Sequence, residues 1–189
     1  MKDKARELIL IGGSAGSYNL IVEILEALPA VFSPAIVITI HRNPKYSTKI
    51  EETLAQRLQR NIFQAKDKDP IMGNIVYFAG PGYHLLVEPN LTFALDISDH
   101  IQYSRPSIDV LFESAADVYE DNCTAFLLSG ANKDGAQGIK HVHDMGGETY
   151  IQSPEEALIS TMPESAIYLS QETTICPNEE IISYFSSLK

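Results

Sequence analysis

The chain has 189 residues, 44% of them apolar, and a formal charge of −11, which suits one domain with a three-layer core. So acidic a chain argues against nucleic acid and anionic membrane as partners, and no apolar run approaches the roughly 20 residues that cross a bilayer. With no Cys-x-x-Cys pair, a zinc site is not expected; Cys123 and Cys176 read as buried free thiols of a reducing cytosol.

In chain order, the seven residues before the first apolar run are too few for a secretory leader, so a cytoplasmic location is expected. Leu8-Ile9-Leu10-Ile11 is four apolar residues closed by glycines, the pattern of a short strand buried on both faces. Residues 18–28 carry apolar side chains at helical spacing. The turn between them, Gly12-Gly13-Ser14-Ala15-Gly16-Ser17, contains a literal G-x-S-x-G. Its backbone N–H groups are expected to lack partners and to suit an anion, a phosphate or an oxyanion.

A β-branched run at 35–41 ends in His41, and Asn43-Pro44 breaks it. A helix is predicted over 47–60, capped by Ser47 or Thr48, with Glu51 and Glu52 near the positive end of its dipole. A strand is predicted over 73–79, and 84–88 with 91–96 form a hairpin around Pro89-Asn90. Ser107 caps a helix running through Tyr119, and a strand at 124–129 leads into Gly130-Ala131-Asn132-Lys133-Asp134-Gly135. A helix to about Met145 follows, with His141-Val142-His143 read as an exposed pair rather than metal ligands. A strand at 148–152, short helices near Pro154 and Pro163, a strand at 173–176 and a terminal helix complete the chain. Strands alternating with helices predict a three-layer α/β/α fold, a mainly parallel, doubly wound sheet with one β-hairpin, and residues 1–189 as a single domain.

Ligands of open α/β sheets collect outside the carboxyl ends of the strands, and Ser14, His41 and Asp134 all fall at such ends. A serine hydroxyl needs a base to become a nucleophile, and a carboxylate can fix a histidine's tautomer and stabilise its imidazolium. Each residue also has an ordinary reading: a cap or phosphate contact for Ser14, a loop residue for His41, an N-cap for Asp134. The order Ser…Asp…His of an α/β-hydrolase would need Ser14, Asp109 and His141 or His143, but Ser14 follows the first strand, with nothing before that strand to donate the second oxyanion amide. Gly12, Gly13 and Gly16 do not make a dinucleotide fingerprint, and no G-K-[ST] follows.

Ile11-Gly12-Gly13-Ser14-Ala15-Gly16, Thr39-Ile40-His41 and the stretch from Ser129 to Ala136 resemble the nucleophile turn, second-strand histidine and G-x-x-x-D-G-A loop of the bacterial chemotaxis protein-glutamate methylesterases, the CheB family. Ala79-Gly80-Pro81-Gly82-Tyr83-His84-Leu85, Arg105-Pro106-Ser107-Ile108-Asp109-Val110-Leu111-Phe112 and Met162-Pro163-Glu164-Ser165-Ala166 are similar to further motifs in the family's order. The resemblance covers about residues 7–167 and implies Ser14 as nucleophile, His41 as general base and acid, and Asp134 as the residue that orients His41. It implies a γ-glutamyl methyl ester on the cytoplasmic helical bundle of a chemoreceptor as substrate, glutamate and methanol as products, deamidation of glutamine in some relatives, and no cofactor. Backbone amides of Gly13 and Ala15 and of the loop at Gly130, Ala131 and Asn132 are the implied oxyanion donors, a contribution of ~2.7–4 kcal/mol each in such sites.

Arg105 either lines the cleft or forms a salt bridge where its helix begins, and His84 either hydrogen-bonds near the site or is structural. Arg42 and Lys133 flank two of the three residues as a basic rim. Many members have Thr-Gly-Gly where this chain has Ala15-Gly16-Ser17, His-Met-Pro where it has His41-Arg42-Asn43, and Met-Gly where it has Ala131-Asn132. The length implies a catalytic domain without a receiver domain, regulated, if at all, by a separate protein. A non-catalytic binding module of the same fold, and an esterase or amidase for another substrate, are the alternative readings.

Overall fold

The computed structural model describes residues 4–42, 45 and 49–189. The expected caps Ser47 and Thr48 lie outside the described residues. Nine strands and six α-helices are assigned among them: β1 (Leu8–Gly13), α1 (Tyr18–Ala27), β2 (Ala35–Ile40), α2 (Ile50–Leu58), β3 (Ile62–Gln64), β4 (Val76–Phe78), β5 (His84–Glu88), β6 (Thr92–Asp96), α3 (Ile108–Tyr119), β7 (Cys123–Leu127), α4 (Ala136–Asp144), β8 (Glu148–Gln152), α5 (Thr161–Leu169), β9 (Thr174–Cys176) and α6 (Asn178–Ser186). Seven strands form one sheet in the order β3-β4-β2-β1-β7-β8-β9, and β5 and β6 pair separately as an antiparallel hairpin. Every pairing in the large sheet is parallel. The chain winds outward from β1 through β2, then returns to place β7 on its other side. β1 thus lies at the reversal of strand order, where such sheets hold their ligands.

The continuous apolar runs are explained by burial on both faces. Along β1, Leu8 and Leu10 enter one core while Ile9 and Ile11 enter the other. Alternation repeats in β7, where Ala125 and Leu127 face the first core and Phe126 and Leu128 the second. The first core is closed by α3, α4, α5 and the hairpin, the second by α1, α2 and α6. In the second, Phe126 stacks on Tyr150 at 4.8 Å between ring centroids and meets Phe185 at 4.9 Å. Both cysteines are buried and free.

Two local expectations are corrected. Residues 153–160 form turns rather than a helix near Pro154: the Glu156 and Ala157 N–H groups both close on the Ser153 carbonyl, and the Ile159 N–H leaves the segment to donate to Ser129 Oγ at 2.9 Å. β3 is a strand that periodicity did not disclose, since three residues with two exposed side chains carry no readable alternation.

α3 and α4 approach so closely that their contact is made at a glycine. A Cβ on Gly138 would lie 2.6 Å from Phe112 Cβ and 3.2 Å from Asp109 Cα. Glycine-to-alanine inside a helix ordinarily gains about 1 kcal/mol. Gly138→Ala is instead expected to destabilise by about 1–3 kcal/mol, as overpacking does, with a lower urea midpoint as the readout; a higher midpoint would show that the helices can separate at no cost.

Candidate active site

Beyond β1 the chain turns through Ser14, Ala15 and Gly16, and Gly16 takes φ +90°, a conformation cheap only for glycine. Ser17 donates to the Ser14 carbonyl twice, from its N–H at 3.2 Å and its hydroxyl at 2.8 Å. The Ser14 N–H donates to the Ser129 carbonyl at 2.9 Å, and Ser129 Oγ donates to the Ala15 carbonyl at 2.8 Å. The backbone around Ser14 is thereby held from both sides while its side chain remains half-buried at the rim.

These bonds correct the expectation that every N–H of the turn is free. Gly13 sits in the β1–β2 ladder opposite Ile40, and the Ser14 N–H is committed to Ser129. The Gly130 N–H is likewise committed, to the Ile159 carbonyl at 3.1 Å. The N–H groups of Ala15, Gly16, Ala131 and Asn132 have no acceptor among the described residues. Gly13 serves the turn differently, since a Cβ there would lie 2.5 Å from Ser17 Oγ.

His41 follows β2, anchored by its N–H to the Gly13 carbonyl at 3.4 Å. Its Nδ1 lies 3.1 Å from Ser14 Oγ and its Nε2 lies 2.6 Å from Asp134 Oδ2. The three residues singled out from the sequence therefore share one hydrogen-bonded chain.

Asp134 is fully buried, and its carboxylate accepts from four donors. Oδ1 accepts from Ser107 Oγ at 2.7 Å and the Asp109 N–H at 3.0 Å. Oδ2 accepts from the Ile108 N–H at 2.7 Å and from His41. The expected N-cap role is thus displaced: Gly135 occupies the N-cap of α4, while the Asp134 side chain sits on the amino terminus of α3. Ser107 caps α3 as expected, accepting from the Val110 N–H. Burial acts to raise the Asp134 carboxyl, but hydrogen bonds from His41, the two α3 amides and Ser107 outweigh it and hold it below its ordinary value. Its folded value lies below its unfolded one, so it contributes stability above about pH 4 that is lost as acid protonates it.

The remaining expected site residues are placed as follows. His84 is fully buried behind the site: its Nδ1 accepts from the Ser107 N–H at 3.1 Å and its Nε2 faces the Asp99 carbonyl at 3.0 Å, so it steadies the α3 terminus. Arg105 donates from Nη1 to the Ile97 and Ser98 carbonyls at 2.9 and 2.8 Å, tying its loop to the chain after β6 rather than forming a salt bridge. Arg42 is not part of a rim; it is buried against Glu51 at 2.6 Å and the Ala79 carbonyl at 2.5 Å. Lys133 is exposed beside Asp134. His141 and His143 pair with Asp117 and Glu172, and no cluster able to hold a metal occurs among the described residues.

Sequence reasoning missed Ser104, whose Oγ stands 3.3 Å from His41 Nδ1. Nothing in its neighbours, Tyr103 and Arg105, distinguishes it from any loop serine. It also missed Ser129 and Gln152; Gln152 Oε1 accepts the Ser129 N–H at 2.7 Å.

An acid–base relay onto a serine hydroxyl, at the carboxyl edge of a parallel α/β sheet, is the equipment of a hydrolase working through serine. The chain matches the CheB methylesterase family over residues 9–185, and it belongs to that family. It is 41% identical over 182 residues to a putative protein-glutamate methylesterase/protein-glutamine glutaminase of Leptospira interrogans, covering 96% of this chain and 94% of that protein. A protein-glutamate methylesterase/protein-glutamine glutaminase of Shewanella sp. (strain MR-4) is 33% identical over 190 residues, which are 97% of this chain and 54% of that protein. The crystal structure of the Thermotoga maritima CheB methylesterase catalytic domain superposes with a TM-score of 0.86 at 27% identity, over 94% of this chain and 98% of that one.

Asp109 titrates in the opposite sense to Asp134. Burial, with the nearby Asp134 charge, pushes its carboxyl up to about 7, although its Oδ1 accepts the Gly138 N–H at 2.8 Å. The folded chain retains a proton that the unfolded chain releases near pH 4, so stability drains away as pH rises from about 4 to about 7. Asp109→Asn keeps an oxygen for Gly138 and is expected to flatten that decline, gaining up to about 4 kcal/mol near pH 8. Identical urea midpoints for parent and variant across this range would refute it.

Proposed function

We propose that this chain is a serine esterase that hydrolyses γ-glutamyl methyl esters on the cytoplasmic helices of chemoreceptors, giving glutamate and methanol, and that it deamidates glutamine at such positions. The observation that carries the reading is His41, bridging Ser14 Oγ and Asp134 Oδ2 in a member of the CheB methylesterase family. The paired activities in the names of the Leptospira and Shewanella relatives support both reactions.

Ser14 Oγ attacks the side-chain carbonyl while His41 Nδ1 takes its proton. The imidazolium is stabilised at Nε2 by Asp134, ionised because α3 presents its amides to it. The oxyanion is received by the N–H of Ala15, the residue after the nucleophile, and by the N–H groups of Ala131 and Asn132. Nδ1 returns its proton to the methoxy oxygen and methanol leaves; with glutamine, ammonia leaves instead. Water then attacks the acyl-enzyme, passing a proton to Nδ1 and on to Ser14 as the ester bond breaks. No helix among the described residues is long and apolar enough to cross a membrane. Lys133, exposed beside Asp134, offers a positive charge to an acidic receptor surface.

Methanol release from receptor carrying labelled methyl esters tests the reading. Ser14→Ala is expected to lower the rate at least ~10³-fold without loss of fold, and Asp134→Asn by about 10⁴-fold with a lower melting temperature, since its NH2 must face one of the backbone N–H groups that the carboxylate accepts. Methylated receptor that binds the chain but is turned over equally by parent and Ser14→Ala would point instead to the binding-module reading.

A further inference from the structure

The chain between β6 and α3 doubles back at Ile101–Ser104, where these two residues exchange backbone hydrogen bonds of 3.1 and 2.8 Å. The central residues Gln102 and Tyr103 have φ of 48° and 64°. Two successive left-handed residues characterise the tight type I′ turn, which normally takes Asn-Gly. Neither occurs here, and Tyr103 is 98% exposed, so its side chain recovers no burial to offset the strained backbone. Strain held at one point of a fold directs attention to what that point delivers.

What this turn delivers is Ser104. Its Oγ lies 3.3 Å from His41 Nδ1, the same nitrogen that meets Ser14 Oγ at 3.1 Å. Asn132 Nδ2 donates to Ser104 Oγ and to the Gln102 carbonyl, both at 3.2 Å, and Asn132 Oδ1 accepts the Asp134 N–H at 3.3 Å. One amide therefore locks the turn to the aspartate loop. The Ser104 proton has a second acceptor in the Gln102 carbonyl at 3.4 Å, so it need not occupy Nδ1 while Ser14 does.

Neutral imidazole with its proton on Nε2, facing Asp134, offers one in-plane lone pair at Nδ1. Before acylation Ser14 supplies the proton for it. Afterwards Ser14 Oγ is an ester oxygen with no proton, and the lone pair must be met by water. We propose that Ser104, oriented by Asn132, is the positioning residue that holds the hydrolytic water at His41 Nδ1 for breakdown of the acyl-enzyme. The water donates one O–H to Nδ1 and the other to Ser104 Oγ, leaving its lone pair to the acyl carbon. The new C–O bond forms as one water proton passes to Nδ1. The bond to Ser14 then breaks, Ser14 Oγ takes that proton, and Ser104 ends with the proton it began with. The inference rests on the serine-esterase reading above.

Stopped-flow hydrolysis of p-nitrophenyl acetate by the full chain separates the two halves, since kcat/KM reports acylation and, for so activated an ester, kcat reports deacylation. Ser104→Ala is expected to lower kcat about tenfold and KM with it, with kcat/KM retained and a nitrophenolate burst approaching one per enzyme. Ser104→Thr, which restores a hydroxyl, is expected to recover most of kcat, and thermal melting checks that each variant is folded. Equal losses in kcat and kcat/KM, or no loss in either, would overturn the proposal by reducing Ser104 to a support for the ring or to a bystander. A faster burst would overturn it the other way, showing that Ser104 competes with Ser14 for Nδ1. Equal turnover by parent and Ser14→Ala would sink the esterase reading itself, an outcome distinct from all of these.

Discussion

A carboxylate seated on the amino terminus of a helix organises this molecule. Asp134 has no exposed surface, and a buried anion is costly unless its oxygens are fully hydrogen-bonded. α3 meets that demand with the N–H groups of Ile108 and Asp109, the Ser107 hydroxyl and the positive end of its dipole. The helix can come this near because two glycines leave room for Ile108. A Cβ on Gly12 would lie 2.5 Å from Ile108 Cγ2, and one on Gly135 2.8 Å from it. Gly135 also holds φ +94°, a backbone that lets the chain enter α4 directly after Asp134.

From that carboxylate the order of the site follows outward. Asp134 takes the Nε2 side of His41, which leaves Nδ1 for the serine hydroxyls. Around the relay, further hydrogen bonds hold the segments that carry it. His84 grips the Ser107 backbone, Ser129 bonds the turn after β1 to the 153–160 segment, and Asn132 joins the aspartate loop to the Ile101–Ser104 turn. Loops carrying reactive groups are disposed to move, and such second partners keep the hydrogen-bond distances short.

The sheet order supplies the rest. Because β1 lies between β2 and β7, the turns carrying Ser14 and His41 and the loop carrying Asp134 emerge side by side from one edge. The two cores on either face fix the register of those three strands, since a slip by one residue would turn Ile9 and Ile11 into the core that receives Leu8 and Leu10. The core is thus also the device that aligns the three strand ends.

Much of this was legible before any coordinate. Apolar runs marked the central strands, glycines marked the turns after β1 and β7, and Ser107 marked the start of α3, because each is a local preference written in adjacent residues. Alternating strands and helices sufficed for a parallel sheet. Contacts between distant residues were not legible. Arg42 read as a rim charge and proved to be buried on Glu51; His84 and Arg105 had two readings each until their partners were known; Ser104 carried no signal. The sequence by itself therefore determined which elements form and which chemical groups stand at their ends, since those depend on neighbours a few residues apart. Only the tertiary structure decided that His41 meets both Ser14 and Asp134, and that a helix end stabilises the buried anion, because packing alone brings together groups that lie 27, 93 and 26 positions apart in the chain.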